Sequence, residues 1–228
     1  MNNCAVRIIL LIISIQISLV AFMAIAQAGV INTKHNLSSS APGTNTFKLA
    51  PGTGTDQVCV FCHTPHYGST TSAPLWNKTV TTAVYTMYSS ATLDMTIAGQ
   101  PQGISAACLS CHDGTVAFDT FLNAPGSGFS KQGSWTWNGG KNDIKTSTSA
   151  YVSADLSNDH PISVTYDATK DPAFVVAVNG RVNGLPLYGS GRNQVECASC
   201  HDVHDNTNAP FLRAANGGSV LCLKCHIK

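Results

Sequence analysis

Charged residues are scarce in this chain of 228 residues. Lys and Arg together number 13 and Asp and Glu number 12, so only 11% of the residues are charged, against about a quarter in an average globular domain. The basic residues form no cluster, which argues against a nucleic-acid-binding or membrane-binding surface. With a formal net charge of +1, the chain has little electrostatic resistance to self-association.

Cysteine is almost absent outside one repeated motif. Of nine cysteines, Cys4 alone lies elsewhere. The other eight form four Cys-x-x-Cys-His motifs, in which the cysteine pairs are Cys59 and Cys62, Cys108 and Cys111, Cys197 and Cys200, and Cys222 and Cys225, and the histidines are His63, His112, His201 and His226.

This motif is the attachment signature of c-type haem. On a helical turn, positions i, i+3 and i+4 share one face, so two thiols can bond the two vinyl groups of a haem while the histidine reaches its iron. Cys-x-x-Cys pairs also build zinc ribbons, dithiol redox sites and disulfides. None of these alternatives explains why a histidine follows every pair. Four motifs therefore predict four covalently held haem c groups.

Long apolar runs are also scarce, since only the N-terminus has one. Arg7 precedes the apolar stretch Ile8–Ile25, and Ala26-Gln27-Ala28 matches a small-x-small cleavage site. This pattern predicts a cleaved secretory signal peptide over residues 1–28, with an uncleaved membrane anchor as the alternative. The exported chain Gly29–Lys228 would have 200 residues, with 12 basic and 12 acidic side chains.

The mature chain is predicted to be a single tetrahaem domain, residues 29–228. One haem pair lies in residues 59–119 and the other in residues 196–228, with a haem-free insert between them, residues 120–195. Abundant Gly, Ser, Thr and Asn favour loops. We expect a mostly irregular multihaem cytochrome fold, with short helices at the haem motifs, a few short strands and a core built around four haems.

Secondary structure in the insert is predicted from local patterns. Ile162–Tyr166 alternates and reads as a strand, and Ala173–Val178 is a short apolar run that predicts another. Val182–Tyr188 predicts a hairpin turning at Asn183-Gly184, although Pro186 weakens a central-strand interpretation. Trp135 and Trp137 are expected to anchor the intervening loop on a haem or on the core.

Four histidines outside the motifs equal the number of sixth iron ligands that four haems need. They are His35, His66, His160 and His204. His66 and His204 each follow a motif histidine by three residues, so each stays on its own motif's haem face and should bind a different haem. Met87 or Met95 could replace one histidine as a ligand, which would raise that haem's reduction potential. A surface or propionate-binding role for His66 or His204, and terminal disorder for His35, stay open.

The short sequence segments in and around these motifs resemble those of the doubled-CxxCH multihaem cytochromes. They are Lys34-His-Asn-Leu-Ser38, Cys59-Val-Phe-Cys-His-Thr-Pro-His66, His160-Pro161, and Cys197-Ala-Ser-Cys-His-Asp-Val-His204 followed by Cys222-Leu-Lys-Cys-His226. The chain is similar to the OmcE-type tetrahaem outer-surface cytochromes of metal-reducing bacteria. That resemblance implies an extracellular homopolymer with a continuous haem chain, in which one haem per subunit takes a histidine from its neighbour. We expect His35 or His160 to bind a haem of the adjacent subunit, and we favour His35 because it lies near a free N-terminus.

The resulting function hypothesis is a non-catalytic electron carrier with four bis-histidine haems. Its partners would be copies of itself, other multihaem cytochromes and extracellular acceptors such as metal oxides, and its location the outer surface, with the periplasm as the alternative. A monomeric electron shuttle is a second hypothesis. A multihaem reductase is a third, which requires an open iron position that the histidine count does not provide.

Overall fold

The computed structural model describes residues 29–79, 81–125, 135–144 and 148–227. Within these ranges, short helices and strands are joined by loops and turns that make up most of the chain, as expected. The predicted signal peptide, residues 1–28, lies outside the described residues. In the part of the chain that is described, no helix has the length and apolar character needed to cross a membrane.

Helical structure is present at every haem motif, as expected, and in the described ranges three further helical turns lie outside the motifs. Two are α-helices: α1 is Gly103–His112, and α2 is Cys197–Cys200. The others are single 3-10 turns, Gly29–Asn32, Cys59–Phe61, Asn138–Gly140, Gly217–Ser219 and Cys222–Lys224. Each of the four motifs therefore begins in, or lies within, a helical segment.

Five two-residue strands form two small antiparallel sheets. The strands are β1 (Thr96–Ile97), β2 (Val164–Thr165), β3 (Arg181–Val182), β4 (Leu185–Pro186) and β5 (Gln194–Val195). In the first sheet β2 lies between β1 and β5, with Val164 opposite Ile97 on one side and Val195 on the other. The strand predicted over Ile162–Tyr166 is thus present but shorter.

The predicted hairpin is confirmed as β3 and β4, which pair Val182 with Leu185. Asn183 and Gly184 form the turn with φ values of 46° and 91°, the left-handed conformation that a two-residue hairpin turn requires. Pro186 is accommodated because it belongs to a sheet of only two strands, and a strand at a sheet edge does not need every N–H donor.

The strand predicted over Ala173–Val178 is wrong. This segment extends alongside the last motif: the Val175 N–H donates to the Cys225 carbonyl at 2.9 Å, and the Ile227 N–H donates to the Ala173 carbonyl at 2.7 Å. Its apolar residues therefore pack on the chain that carries His226, which sequence periodicity could not indicate.

The largest apolar cluster surrounds the first two motifs. Leu49 and Phe61 are fully buried there. Trp135 and Trp137 place their rings 6.0 and 6.2 Å from that of Phe61, so the two tryptophans anchor the loop on the core, one of the two places expected for them. A second cluster packs Met95 against Val164, Tyr166, Val182 and Leu187 beneath the first sheet.

A buried carboxyl group ties the second and third motifs together. Glu196 precedes the first cysteine of the third motif and accepts hydrogen bonds from the hydroxyls of Ser105 in α1 and Ser163 (3.0 Å for Ser163). The Cys197 N–H in turn donates to the Ser105 hydroxyl at 2.9 Å. Burial raises the pKa of Glu196, and α1 and α2 are held side by side.

The first prediction concerns Asn77, which is fully buried between two segments near the first motif. Its amide donates to the carbonyls of Val60 (2.8 Å) and Asn123 (3.0 Å), and its oxygen accepts from the Asn123 N–H (2.9 Å). Asn77→Ala leaves these groups unsatisfied and should lower the free energy of unfolding by about 3 kcal/mol, measured by denaturant titration of the haem-loaded protein.

Thr71→Ala is the control for this prediction, because its hydroxyl bonds only at the exposed surface and its loss should change stability by less than about 0.5 kcal/mol. An equal, small effect of both substitutions would show that the Asn77 network contributes little.

Candidate haem sites

Each motif is wound so that its two cysteines and its histidine share one face. The N–H groups of His63, His201 and His226 donate to the carbonyl of the first cysteine of their own motif, at 2.8, 3.0 and 3.0 Å, and His112 completes the same turn inside α1. Closing a turn over four residues aligns positions i, i+3 and i+4. This is the arrangement that thioether attachment and iron ligation from one side require.

Three motif histidines are oriented by a backbone carbonyl. The Nδ1 atoms of His63, His112 and His201 lie 2.9, 2.7 and 3.1 Å from the carbonyl oxygens of Pro74, Ala150 and Pro210, respectively. A ring N–H that donates to a carbonyl fixes both the tautomer and the ring plane and leaves Nε2 as the metal-binding atom. None of these carbonyls was identifiable from the sequence, because all three come from loops outside the motifs.

Three motif histidines also face a second histidine at similar ring separations. The pairs and their ring-centre distances are His63 with His204 at 6.3 Å, His112 with His35 at 6.1 Å, and His226 with His160 at 6.4 Å. Two imidazoles on opposite sides of one metal should stand about 6 Å apart, given about 2.0 Å from metal to nitrogen and about 1.1 Å from nitrogen to ring centre on each side. The three spacings fit an iron between the rings.

The pair formed by His35 and His112 shows most clearly that these rings suit a metal. Nδ1 of His35 is buried without a hydrogen-bond partner. Burial lowers the pKa of His35 to about 4, with a smaller contribution from His112, and burial also lowers the pKa of His112. Both rings are therefore neutral at ordinary pH, which is the form that binds a metal.

The structure places His204 opposite His63 and not opposite His201, its neighbour in sequence. The prediction that a histidine three residues after a motif serves another motif's iron is compatible with this ring arrangement. Met95 is buried in the second apolar cluster and Met87 packs beside Tyr85 and Leu109. Both methionines fill apolar space, so the geometry favours the histidines as ligands.

Among the residues that the structure describes, His201 and His66 have no such counterpart. Both are exposed, and in the described ranges neither ring faces another histidine ring at the spacing of the three pairs. His201 nevertheless keeps the Nδ1 contact with Pro210 that marks it as a motif ligand. One motif therefore lacks a second histidine that the same chain could supply in this conformation.

His35 does not behave as a free terminal residue. The Gly29 N–H donates to the His204 carbonyl at 3.0 Å, and the Leu49 N–H donates to the Leu37 carbonyl at 3.0 Å. Asn36, next to His35, is fully buried. The expectation that His35 binds a haem of a neighbouring subunit stays a prediction, which would require this segment to leave the core of its own chain.

The cysteines of successive motifs adjoin one another. Cys62 and Cys111 pack against the same apolar cluster, and Cys108 and Cys197 lie close enough for their side chains to interact. Cys200 lies close enough to Cys222 for electrostatic interaction. The four attachment sites thus follow one another through the fold in sequence order.

The surroundings of several motif sulfurs disfavour a thiolate, whereas the interaction with Cys108 lowers the pKa of Cys197. Burial raises the pKa of Cys62 to about 12 and that of Cys225 to about 11, and it also raises that of Cys111. A zinc ribbon needs ionised cysteines gathered around one ion. Among the residues with described positions, no group of three or more His, Cys, Asp or Glu side chains is arranged to hold such an ion.

Comparison with protein families agrees with the motif chemistry. A family model described as a doubled CXXCH motif matches residues 191–228, which contain the third and fourth motifs. None of the curated proteins compared with the chain matches it. The family match supports a multihaem c-type cytochrome, with covalently bound haem c and a role in electron transfer.

The second prediction tests the pairing of His204 with His63. His204→Ala should convert one low-spin haem into a high-spin haem, seen by electron paramagnetic resonance. In a Cys59→Ala/Cys62→Ala background, which removes the first attachment site, adding His204→Ala should produce no new high-spin signal because its iron is already missing.

The matched background for this test is Cys197→Ala/Cys200→Ala, which removes the third attachment site. There His204→Ala should still create one high-spin haem. The reverse pattern in the two backgrounds would show that His204 binds the iron of its own motif.

Proposed function

We propose that this multihaem cytochrome is a tetrahaem electron carrier that assembles into an extracellular filament. The three histidine pairs with ring centres 6.1–6.4 Å apart are the observation that carries the electron-transfer proposal. Each pair joins one motif histidine to one histidine outside the motifs, so at these three sites two histidines would hold the iron and leave no position for a substrate. The haem iron, when bound, supplies one-electron redox chemistry.

The protein's contribution would be to hold the haems, orient their ligands and enclose them. The cysteines would hold the haems, loop carbonyls orient three of the motif histidines, and second histidines would bind the iron at three of the sites. Because the attachment sites adjoin in sequence order, from Cys62 and Cys111 through Cys108 and Cys197 to Cys200 and Cys222, the arrangement supports an electron path along the whole chain.

The filament proposal starts from the histidine that has no counterpart. His204, three residues after the third motif's histidine, serves the first motif, which lies two motifs earlier. His66 follows the first motif's histidine by three residues in the same way. If His66 also served a motif two positions earlier, that motif would lie outside its own chain. In a head-to-tail array of four-motif chains, that position is the third motif of the adjacent copy, where His201 lacks a second ligand.

His66 is well placed for such a contact. Its side chain is exposed, while its carbonyl accepts hydrogen bonds from the Thr64 hydroxyl at 2.9 Å and the Asn123 amide at 3.2 Å. The adjacent Tyr67 is 77% exposed. A ligand on a fixed backbone loses little conformational freedom on binding. Near-zero net charge also places little repulsion between copies.

Export and an outer-surface location complete the proposal. They are supported by the N-terminal sequence pattern and by the resemblance to outer-surface cytochromes, with metal oxides or other cytochromes as acceptors. The unmatched His201 also supports a different function. If no second chain completes the His201 site, that iron would have an open position, as a multihaem reductase requires.

The third prediction is the haem content. The intact mass of the secreted protein should exceed that of the Gly29–Lys228 polypeptide by four haem masses, and the haems should resist extraction by acidified acetone. A smaller increment, or bound zinc, would contradict the tetrahaem proposal.

The fourth prediction identifies the crossing ligand. His66→Ala should give separate subunits that keep four attached haems, of which one is high-spin, because only the site shared between copies is lost. His35→Ala, the matched control, should also give one high-spin haem, yet it should still form filaments. Electron microscopy, size-exclusion chromatography and electron paramagnetic resonance distinguish the two results.

Other outcomes would select the alternative functions. Wild-type protein that stays monomeric with four low-spin haems would support the monomeric shuttle. Monomeric protein in which the ferrous form binds one equivalent of carbon monoxide would support the reductase. Filaments formed by His66→Ala with all haems low-spin would exclude His66 as the shared ligand.

A further inference from the structure

Lys78 is a buried cation beside the first two attachment sites. Its side chain is 1% exposed. Its Nζ atom donates to the Phe118 carbonyl at 2.6 Å and lies 5.0 Å from the ring centre of Phe121. A lysine is seldom fully buried, and nothing in the sequence marked this one.

The surroundings of Lys78 place it next to the sulfurs of two different motifs. Burial lowers the pKa of Lys78, and Cys111, Cys62 and Asp119 oppose that shift, in this order of strength. These interactions indicate that Nζ lies near both sulfurs, and the N–H of Asn77, the residue before Lys78, donates to the Cys62 carbonyl at 2.9 Å. Cys62 belongs to the first motif and Cys111 to the second, and both pack against the apolar cluster that contains Phe118.

We propose that Lys78 raises the reduction potentials of the haems attached at Cys62 and Cys111 relative to those attached by the last two motifs. The inference rests on the proposed attachment of haem at these cysteines. A ferric haem carries one more positive charge than a ferrous haem, so a fixed cation nearby destabilises the oxidised form. In a buried, apolar setting that repulsion is weakly screened.

The cations beside the described cysteines of the second half are less buried than Lys78. Lys224, between Cys222 and Cys225, is half-buried, so solvent screens its charge. The cation that acts on Cys200 is Arg213. Arg213 is partly exposed and its guanidinium lies 2.8 Å from the Asp202 carboxylate, so its field is both compensated and screened by solvent. The result is an asymmetry in which electrons reside preferentially at the two haems nearest Lys78.

The test removes the charge while keeping the shape. Lys78→Gln retains a donor for the Phe118 carbonyl, and Lys78→Met retains an unbranched side chain that needs no hydrogen-bond partner. If one of these variants fails to fold, the other still tests the proposal. In a spectroelectrochemical titration of the four-haem protein, we expect one or two of the four midpoint potentials to fall. A tenfold change in the one-electron equilibrium corresponds to about 59 mV.

Two controls separate this effect from a structural one. Lys78→Arg keeps the positive charge and should restore the wild-type potentials. Lys48→Gln changes another buried lysine, whose Nζ donates to the carbonyls of Ala41 (3.0 Å) and Pro42 (3.2 Å); we expect lower stability but unchanged potentials.

The outcomes for this inference and for the proposed function are distinct. Uncharged Lys78 variants with four attached haems, unchanged spin states and unchanged potentials would overturn the role of Lys78. Wild-type protein without haem at Cys62 or Cys111 would overturn the proposed function itself, and the mass of the intact protein reveals this independently of any potential.

Discussion

The pairing of three of the four motif histidines with a second histidine from a distant part of the sequence is the constraint on which the rest of the structure depends. A motif alone provides two sulfurs and one nitrogen on one face. The opposite face must be closed by a residue that the same helical turn cannot supply. The chain meets this need by bringing His35 to His112, His160 to His226 and His204 to His63. The loops take the paths that these three contacts require.

This constraint explains why so little regular structure is needed. Two-residue strands and single helical turns cannot stabilise a domain by their own hydrogen bonds, and the apolar residues form several small clusters. Buried polar side chains join the segments instead, with Asn77 and Glu196 as the clearest cases. In the proposed holoprotein, the large apolar faces of the haems supply the core that these short elements lack.

The same arrangement links assembly with electronic properties. An exposed His66 and an unmatched His201 make the proposed contact between copies part of a metal site, so association and ligation become one event. Inside the chain, the buried ammonium of Lys78 acts on the first two sites, while the Arg213 charge beside the third is compensated by Asp202. Haem sites with the same kinds of ligand would thus differ in reduction potential because of the charges around them.

The sequence alone determined the chemistry, because thioether attachment needs its reactive groups within five consecutive residues, and a helical turn brings these together without help from the rest of the fold. It also determined the hairpin at Asn183-Gly184, which is local for the same reason. The tertiary structure decided which histidines face each other, which carbonyls orient them and that Lys78 is buried. Such contacts join segments far apart in sequence, and no local pattern records them; for this reason the sequence could not show that the segment around His35 packs into its own chain.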